Sequence, residues 1–325
     1  ATRSPLAPTR TVYGDALSGT LSWCAGDLIS VYCSECEGDV KLSEYAVSEP
    51  LSGDEAAISN LSDTVRGLRW GSEETHTFYG VYPGVTTSGA PSTTIEGTVV
   101  TGSTPAVQHS TGTTDDGSGN LTLAPDMRNM YMVCRTEADP TSGNDVTLGF
   151  LPLSTAVTFT VTNGFEDTKS DMTVSSVRLV SDSKPLNGGF KADWSKEVID
   201  GRPHTEPAYG TTVEAAFRSV ELDLSAAPVT LSYGNTLTFT LLLSPGVEAG
   251  DLTFEISGTN THDASAFTRK ARLEKADGTG ITFPRHEKTV IEGLLVPESV
   301  AWTVDGAVSV VPWVNSDAAV IPIEE

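Results

Sequence analysis

Residues 145–163, DVTLGFLPLSTAVTFTVTN, limit what this chain can fold into more than any other stretch. Val146, Leu148 and Phe150 alternate with Thr147 and Gly149. Beyond Pro152, Val157, Phe159 and Val161 alternate with Ala156, Thr158, Thr160 and Thr162. Successive side chains of a strand point to opposite faces, so a period of two in β-branched and aromatic residues predicts strands with one face on a core. Pro152 has no N–H for a ladder and restricts the residue before it, so it ends the first strand. Text of the same kind fills both sides of this stretch. The chain has 325 residues, and single cores stop growing near ~250–300. The expectation is two β domains, 1–150 and 151–325, hinged at residues 149–153.

Alternating runs recur every ~8–12 residues, the spacing of sandwiches and partly open barrels. They fall at 28–32, 41–47, 73–83, 94–100, 121–123, 129–134, 172–180, 220–224, 236–243, 252–257, 269–275, 281–283, 288–291, 299–304, 307–312 and 320–323. TLTFTLLL at 236–243 is nearly continuous apolar and is expected at a sheet centre. Residues 20–23 are expected to pair with 28–32 across Gly26 and Asp27. Residues 55–61 suggest a short helical turn. Residues 101–120, rich in Gly, Ser and Thr, read as a long surface loop, Asn187-Gly188-Gly189 as a turn, and 191–212 as irregular. No alternation with helices is visible, so a doubly wound α/β fold is disfavoured.

The formal net charge is -23, from 20 basic and 43 acidic residues, and both halves are acidic. Such a field repels phosphate backbones and anionic lipid surfaces, which argues against nucleic acid and membrane-surface partners. No run of eighteen apolar residues exists, so no transmembrane helix is expected. The first residues, ATRSPLAPTR, contain neither an initiating Met nor an apolar leader. The reading is that an earlier segment has been removed, which is compatible with export.

Catalytic text is sparse. Cys33 and Cys36 have C-x-x-C spacing, which zinc knuckles and thiol–disulfide sites use. A second C-x-x-C is missing, and Cys24 and Cys134 would have to complete a metal site. The favoured reading is a disulfide among the four cysteines, with Cys33–Cys36 or Cys24 with one of them as the pair. His76, His109, His204, His262 and His286 are scattered, and no H-E-x-x-H, G-x-S-x-G or phosphate-cradling loop is present. DDGSGN at 115–120 is similar to a calcium loop but has Met127 where a bidentate Glu is required. Trp23, Trp70, Trp194, Trp302 and Trp313 raise a sugar-stacking reading, although a Trp in a sandwich is more often core. No residue takes a catalytic role; no enzyme, cofactor or metal is expected.

The pieces together resemble a known family. WCAGDLISVY at 23–32, FYGVYP at 78–83, MYMVC at 130–134 and the LSTAVTFTV run look like the fimbrillin-like proteins (type V pilins) of Bacteroidales. FTLLLSP at 239–245, LEKADGTGITF at 273–283 and Val311-Pro312-Trp313 agree, so the resemblance covers nearly the whole chain. It departs at Pro152, where the family commonly has His. The resemblance implies two transthyretin-like Greek-key β-sandwich domains and secretion as a lipoprotein to the outer membrane. It also implies assembly into surface fimbriae, as stalk, tip or anchor subunit. In that family cleavage after an Arg removes an N-terminal strand, and a neighbouring subunit's strand fills the groove; Arg3 and Arg10 are the residues of the kind cut. Implied partners are other subunits, joined head to tail, and a host or bacterial surface receptor. The alternative is a secreted, stand-alone carbohydrate-binding sandwich.

Overall fold

The protein is all-β in the computed structural model, with several mixed and antiparallel sheets arranged as sandwiches. The structure describes residues 12–13, 21–48, 55–60, 67–165, 169–208, 214–245, 251–274, 280–281, 283, 287–295, 300–302, 309–311 and 318–322. Helix among them is confined to the 3-10 turns Met127–Asn129, Pro140–Ser142 and Ala215–Phe217.

Thr155–Asn163 lies at the heart of one sheet, antiparallel to Thr236–Leu243 and parallel to Lys288–Leu295. Leu121–Pro125 and Ser110–Asp115 extend the sheet on one side; Val300–Trp302 and Ser309–Val311 extend it on the other. The facing sheet runs Ala266–Arg272, Leu252–Asn260, Met172–Ser181, Ser219–Asp223 and Val107–Gln108, with Val229–Leu231 also paired to Met172–Ser181. Between the two, Val157, Phe159 and Val161 meet Leu237, Phe239, Leu241, Val177, Leu179 and Phe254. The Phe254 ring lies 4.9 Å from Phe159 and 6.4 Å from Phe239. Each such side chain contributes about 1.5–3 kcal/mol on burial. A register shift between Val174 and Ser176 keeps Val174, Val177 and Leu179 in one core despite their odd spacing.

A second core forms from the first half of the chain. Its sheet runs Asp145–Gly149, Ala318–Pro322, Glu55–Asn60, Leu42–Val47, Leu28–Tyr32, His76–Tyr82, Met132–Ala138 and Leu151–Pro152. Trp23 is wedged here, its ring edge-on to Tyr82 at 5.5 Å and to Phe150 at 5.4 Å. The middle strands of this sheet are buried on both faces. Tyr82, Met132 and Cys134 point into this core, whereas Val81 and Val133 point into a smaller one with Tyr131, Phe190 and Trp194. That smaller core lies against a four-stranded sheet of His204–Pro207, Gly188–Asp193, Val99–Thr104 and Thr94–Glu96.

The sequence reading holds for the strongly alternating strands and fails in definable places. Residues 55–60 form a strand, not a helical turn, paired on both sides. The expected loop at 101–120 consists of Val99–Thr104, Val107–Gln108 and the first strand of a hairpin, Ser110–Asp115 with Leu121–Pro125. Thr is β-branched and serves an exposed strand as readily as a loop. Gly97, at φ +57, makes the turn that splits 94–104 into two strands. Gly188 and Gly189 begin a strand instead of a turn, because the Asn187 side-chain amide donates to the Ala216 and Ser219 carbonyls at 3.0 and 2.7 Å. Residues 191–212 likewise contain the end of Gly188–Asp193 and all of His204–Pro207, and these two strands pair with each other. Leu21–Ser22 pairs with Val12–Tyr13 and not with Leu28–Tyr32, whose two edges are already filled by Leu42–Val47 and His76–Tyr82. Leu151–Pro152 pairs with Met132 and Val133 at the sheet's end, where a missing N–H is harmless.

Candidate functional site

The arrangement with the most consequence is a strand seat. Ala318–Pro322 lies between two strands of the first half of the chain. It is parallel to Glu55–Asn60, with Ala318 opposite Glu55, Ala319 opposite Ala56 and Val320 opposite Ala57. It is antiparallel to Asp145–Gly149, with Val146 opposite Ile321 and Leu148 opposite Ala319. Sequence dictates the flanking wall. Val146 and Leu148 turn into the core at 2% and 0% exposure, while Asp145, Thr147 and Gly149 face out. Asp145–Gly149 has no other ladder partner among the described residues, so Ala318–Pro322 alone connects it to the sheet. A strand supplied from far along the chain thus completes this layer, and an empty seat would leave two rows of unpaired N–H and C=O groups.

Cys33 and Cys36 lie in the loop between Leu28–Tyr32 and Leu42–Val47, and both are buried against the adjoining core. The Cys33 N–H donates to the Lys41 carbonyl at 2.9 Å and closes the loop's neck. The Glu37 N–H donates to the Arg69 carbonyl at 2.9 Å and ties its tip to the next segment. The Cys33 thiol donates to Glu35 Oε2 at 3.3 Å, and the Lys41 ammonium donates to the Cys36 carbonyl. Cys134 lies elsewhere, on Met132–Ala138 against Gly80, where burial pushes its thiol up. The Cys24 N–H donates to Asp27 Oδ2 at 2.8 Å in the turn before Leu28. Among the described residues no group of three His, Cys, Asp or Glu side chains gathers as metal ligands.

Other sequence candidates are dispersed. His76 is buried, with Nε2 accepting from the Gly71 N–H at 2.9 Å beneath Trp70. His109 and His262 are exposed, and His204 stands 3.7 Å from Glu206. The calcium-like 115–120 stretch is a hairpin turn whose carboxylates face their own backbone. Asp115 Oδ1 accepts from the Gly117 and Gly119 N–H groups, and Asp116 Oδ1 from Ser118 and Asn120. Asn120 and Ser118 hold Asp116 below the usual carboxylate range. Trp23 and Trp194 are core residues and Trp70 is half-buried against His76 and Phe78, so these three offer no sugar platform. Arg3, Arg10, His286, Trp313 and the Asp277-Gly278 and Asp305-Gly306 turns lie outside the described residues. No helix among the described residues is long and apolar enough to cross a membrane.

No protein-family model and no curated protein matches the chain. Solved structures do. A candidate cell adhesion protein from Bacteroides ovatus superposes with a TM-score of 0.51 at 11% identity, over 90% of this chain and 89% of its own. What is shared is the fold. Another candidate cell adhesion protein, from Bacteroides uniformis, has a TM-score of 0.49 at 13% identity, covering 94% and 98%. A fimbrial protein from Bacteroides vulgatus has 0.45 at 12%, covering 88% and 93%. The B. ovatus alignment spans 90% of this chain and so is not confined to one of its halves.

Proposed function

We propose that this chain is a non-catalytic structural subunit, or an associated tip or anchor component, of cell-surface fimbriae, assembled by strand addition and supporting adhesion. The observation that carries the reading is the seat of Ala318–Pro322 between Glu55–Asn60 and Asp145–Gly149. A strand that reaches its place from so far along the chain can be supplied as well by a second molecule, since main-chain hydrogen bonds do not distinguish the donor. The contact is then head to tail and non-closing, which produces filaments. Likeness of fold to a candidate cell adhesion protein of Bacteroides ovatus supports the same reading.

In this account the chain is two transthyretin-like Greek-key sandwiches, 1–150 and 151–325, each taking strands from the other half. The two large cores support the division. The core around Trp23 draws all but Ala156 and Leu242 from residues before 151, and the core around Phe159 draws all but Leu123 from residues after it. The molecule acts at the outer membrane as a lipoprotein whose anchor is removed, with Arg3 or Arg10 as the processing residue and a surface receptor as partner.

The test uses the full chain and a variant lacking 318–322. Each is treated with an Arg-specific protease, mixed with the intact protein and examined for ladders by electrophoresis and filaments by electron microscopy. Ladders that contain the truncated variant only as a terminal member are expected. A variant that stays monomeric and captures no partner, while remaining folded by circular dichroism, would refute strand addition.

A further inference from the structure

We propose that Cys33 and Cys36 form a thiol–disulfide exchange site that closes an intraloop disulfide by reaction with a low-molecular-weight organic disulfide, Cys36 attacking first. The two thiols stand three residues apart in a run of bends, and both are buried in the same core. The Cys33 S–H donates to Glu35 Oε2 at 3.3 Å. Lys41 places its ammonium on the carbonyl of Cys36 itself. This arrangement is asymmetric, and only one thiol gains from it. The neighbouring Cys33 thiol lowers Cys36, with the positive charge of Lys41 adding to the effect. Cys33 is raised, first by the neighbouring Cys36 thiol and then by burial. The thiolate is the attacking species in disulfide exchange.

The steps balance. The Cys36 thiolate attacks one sulfur of the external disulfide; that S–S bond breaks, and the departing thiolate takes a proton from water. Cys33 passes its proton to the Glu35 carboxylate and attacks the Cys36 sulfur. The mixed S–S bond breaks, the Cys33–Cys36 bond forms, and the second thiol leaves with the proton from Glu35. The pair loses two electrons and two protons, and the external disulfide becomes two thiols.

Both sulfurs are buried, so exchange requires the loop to open. Residues 34–40 form no ladder, and the main chain of the loop is pinned by the Cys33–Lys41 and Glu37–Arg69 bonds. A cleft lined by Glu37, Gly38, Asp39, Val40, Gly67 and Arg69 lies beside it and gives the reagent an approach.

The full chain is incubated with oxidised glutathione, then denatured, alkylated and mapped by mass spectrometry. The expected product has Cys33 linked to Cys36 and only Cys24 and Cys134 alkylated. The C33A variant, which keeps Lys41 at Cys36, accumulates a glutathione adduct on Cys36, while C36A leaves the Cys33 thiol bonded to Glu35 and gives less adduct there. Four alkylated cysteines in the wild type, or a link to Cys24 or Cys134, would overturn the site. Equal adducts on the two variants would overturn the order of attack. The wild-type map needs no variant, so a misfolded alanine mutant leaves the test intact.

Discussion

The side-chain amide of Gln108 pairs with the main chain of Leu242 as a strand would. Gln108 Nε2 donates to the Leu242 carbonyl at 2.6 Å, and the Leu242 N–H donates to Gln108 Oε1 at 3.1 Å. Leu242 stands opposite Ala156, but the Ala156 N–H donates to the Glu287 carbonyl at 3.0 Å on the far side. The Ala156–Leu242 pair is therefore one whose main-chain groups face apart. On Leu242's other side the neighbouring strand pairs only through Leu121 and Thr122, opposite Leu237 and Thr238. Gln108, 3% exposed, fills the gap and joins the facing sheet to this one.

Replacing Gln108 by Leu keeps the volume and removes both bonds, leaving a buried N–H and a buried C=O unpaired. Each such group costs about 1–3 kcal/mol. Q108L and Q108A should both lower the unfolding free energy by about 2–6 kcal/mol, read from the urea midpoint at constant slope. A loss below about 1 kcal/mol in Q108L would show that the two groups find other partners.

The hydroxyls of Thr158 and Thr240 meet across the central strand pair at 2.8 Å, both nearly inaccessible. Thr→Val is close to isosteric, so a single change leaves the opposite hydroxyl buried and unpaired, whereas the double change leaves two apolar groups in contact. T158V and T240V should each cost about 1–3 kcal/mol, and the double variant markedly less than their sum. Simple additivity in a double-mutant cycle would show that the hydroxyls act independently.

Legibility in the sequence followed the contrast between the faces of each strand. Thr155–Asn163 and Leu252–Asn260 turn one apolar face to the large core, and their period of two gave them away. Ser110–Asp115 is mostly exposed, so both its faces carry the Ser, Thr and Gly of a loop. Asn187-Gly188-Gly189 has turn chemistry, but two distant carbonyls engage the asparagine side chain. Partner choice was hidden for a different reason. Gln108 and Leu242 are 134 residues apart, and nothing local distinguishes a glutamine that replaces a strand from one on a surface. The same holds for Ala318–Pro322, whose text shows a strand and not its seat. Cys33 and Cys36 were legible because three residues of spacing already place two thiols within one loop.

Asp193 offers a pH signature. Its Oδ1 accepts from the Ser195 hydroxyl at 2.6 Å and the Ser195 N–H at 3.0 Å, and Lys191 Nζ stands 3.4 Å from Oδ2. The Ser195 hydroxyl foremost, with the Ser195 N–H and Lys191, brings the carboxyl down to about 2. A folded-state value below the unfolded ~3.9 contributes stability that is complete above the unfolded value and is lost as the folded group protonates. The difference in melting temperature between wild type and D193N should be constant from neutral pH to ~4.5 and shrink between ~4 and ~2, the interval these two values bound. A difference that does not change with pH would remove Asp193 from the acid response.

The strand seat predicts a localised response to truncation. Asp145–Gly149 pairs with Ala318–Pro322 and with no other described strand, yet its Val146 and Leu148 side chains are core residues. Deleting 318–322 removes every described ladder bond of that strand and one of the two partners of Glu55–Asn60. At about 0.5–1.5 kcal/mol per bond the local loss is several kcal/mol, enough to detach Asp145–Gly149 without unfolding the rest. Hydrogen exchange at residues 145–149 should accelerate by at least ~100-fold, the factor that ~2.7 kcal/mol gives. Exchange at residues 55–60 should rise less, because Leu42–Val47 still covers their other edge. Thr155–Asn163, held on both sides by Thr236–Leu243 and Lys288–Leu295, should keep its protection. Adding a peptide that spans 309–325 should restore the slow exchange at 145–149 in a concentration-dependent way, since the seat recognises main chain and register, not covalent connection. Uniform acceleration across both cores would mean that Ala318–Pro322 is part of the global fold and cannot be exchanged; protection at 145–149 that survives the deletion would mean that the seat contributes nothing to holding that strand.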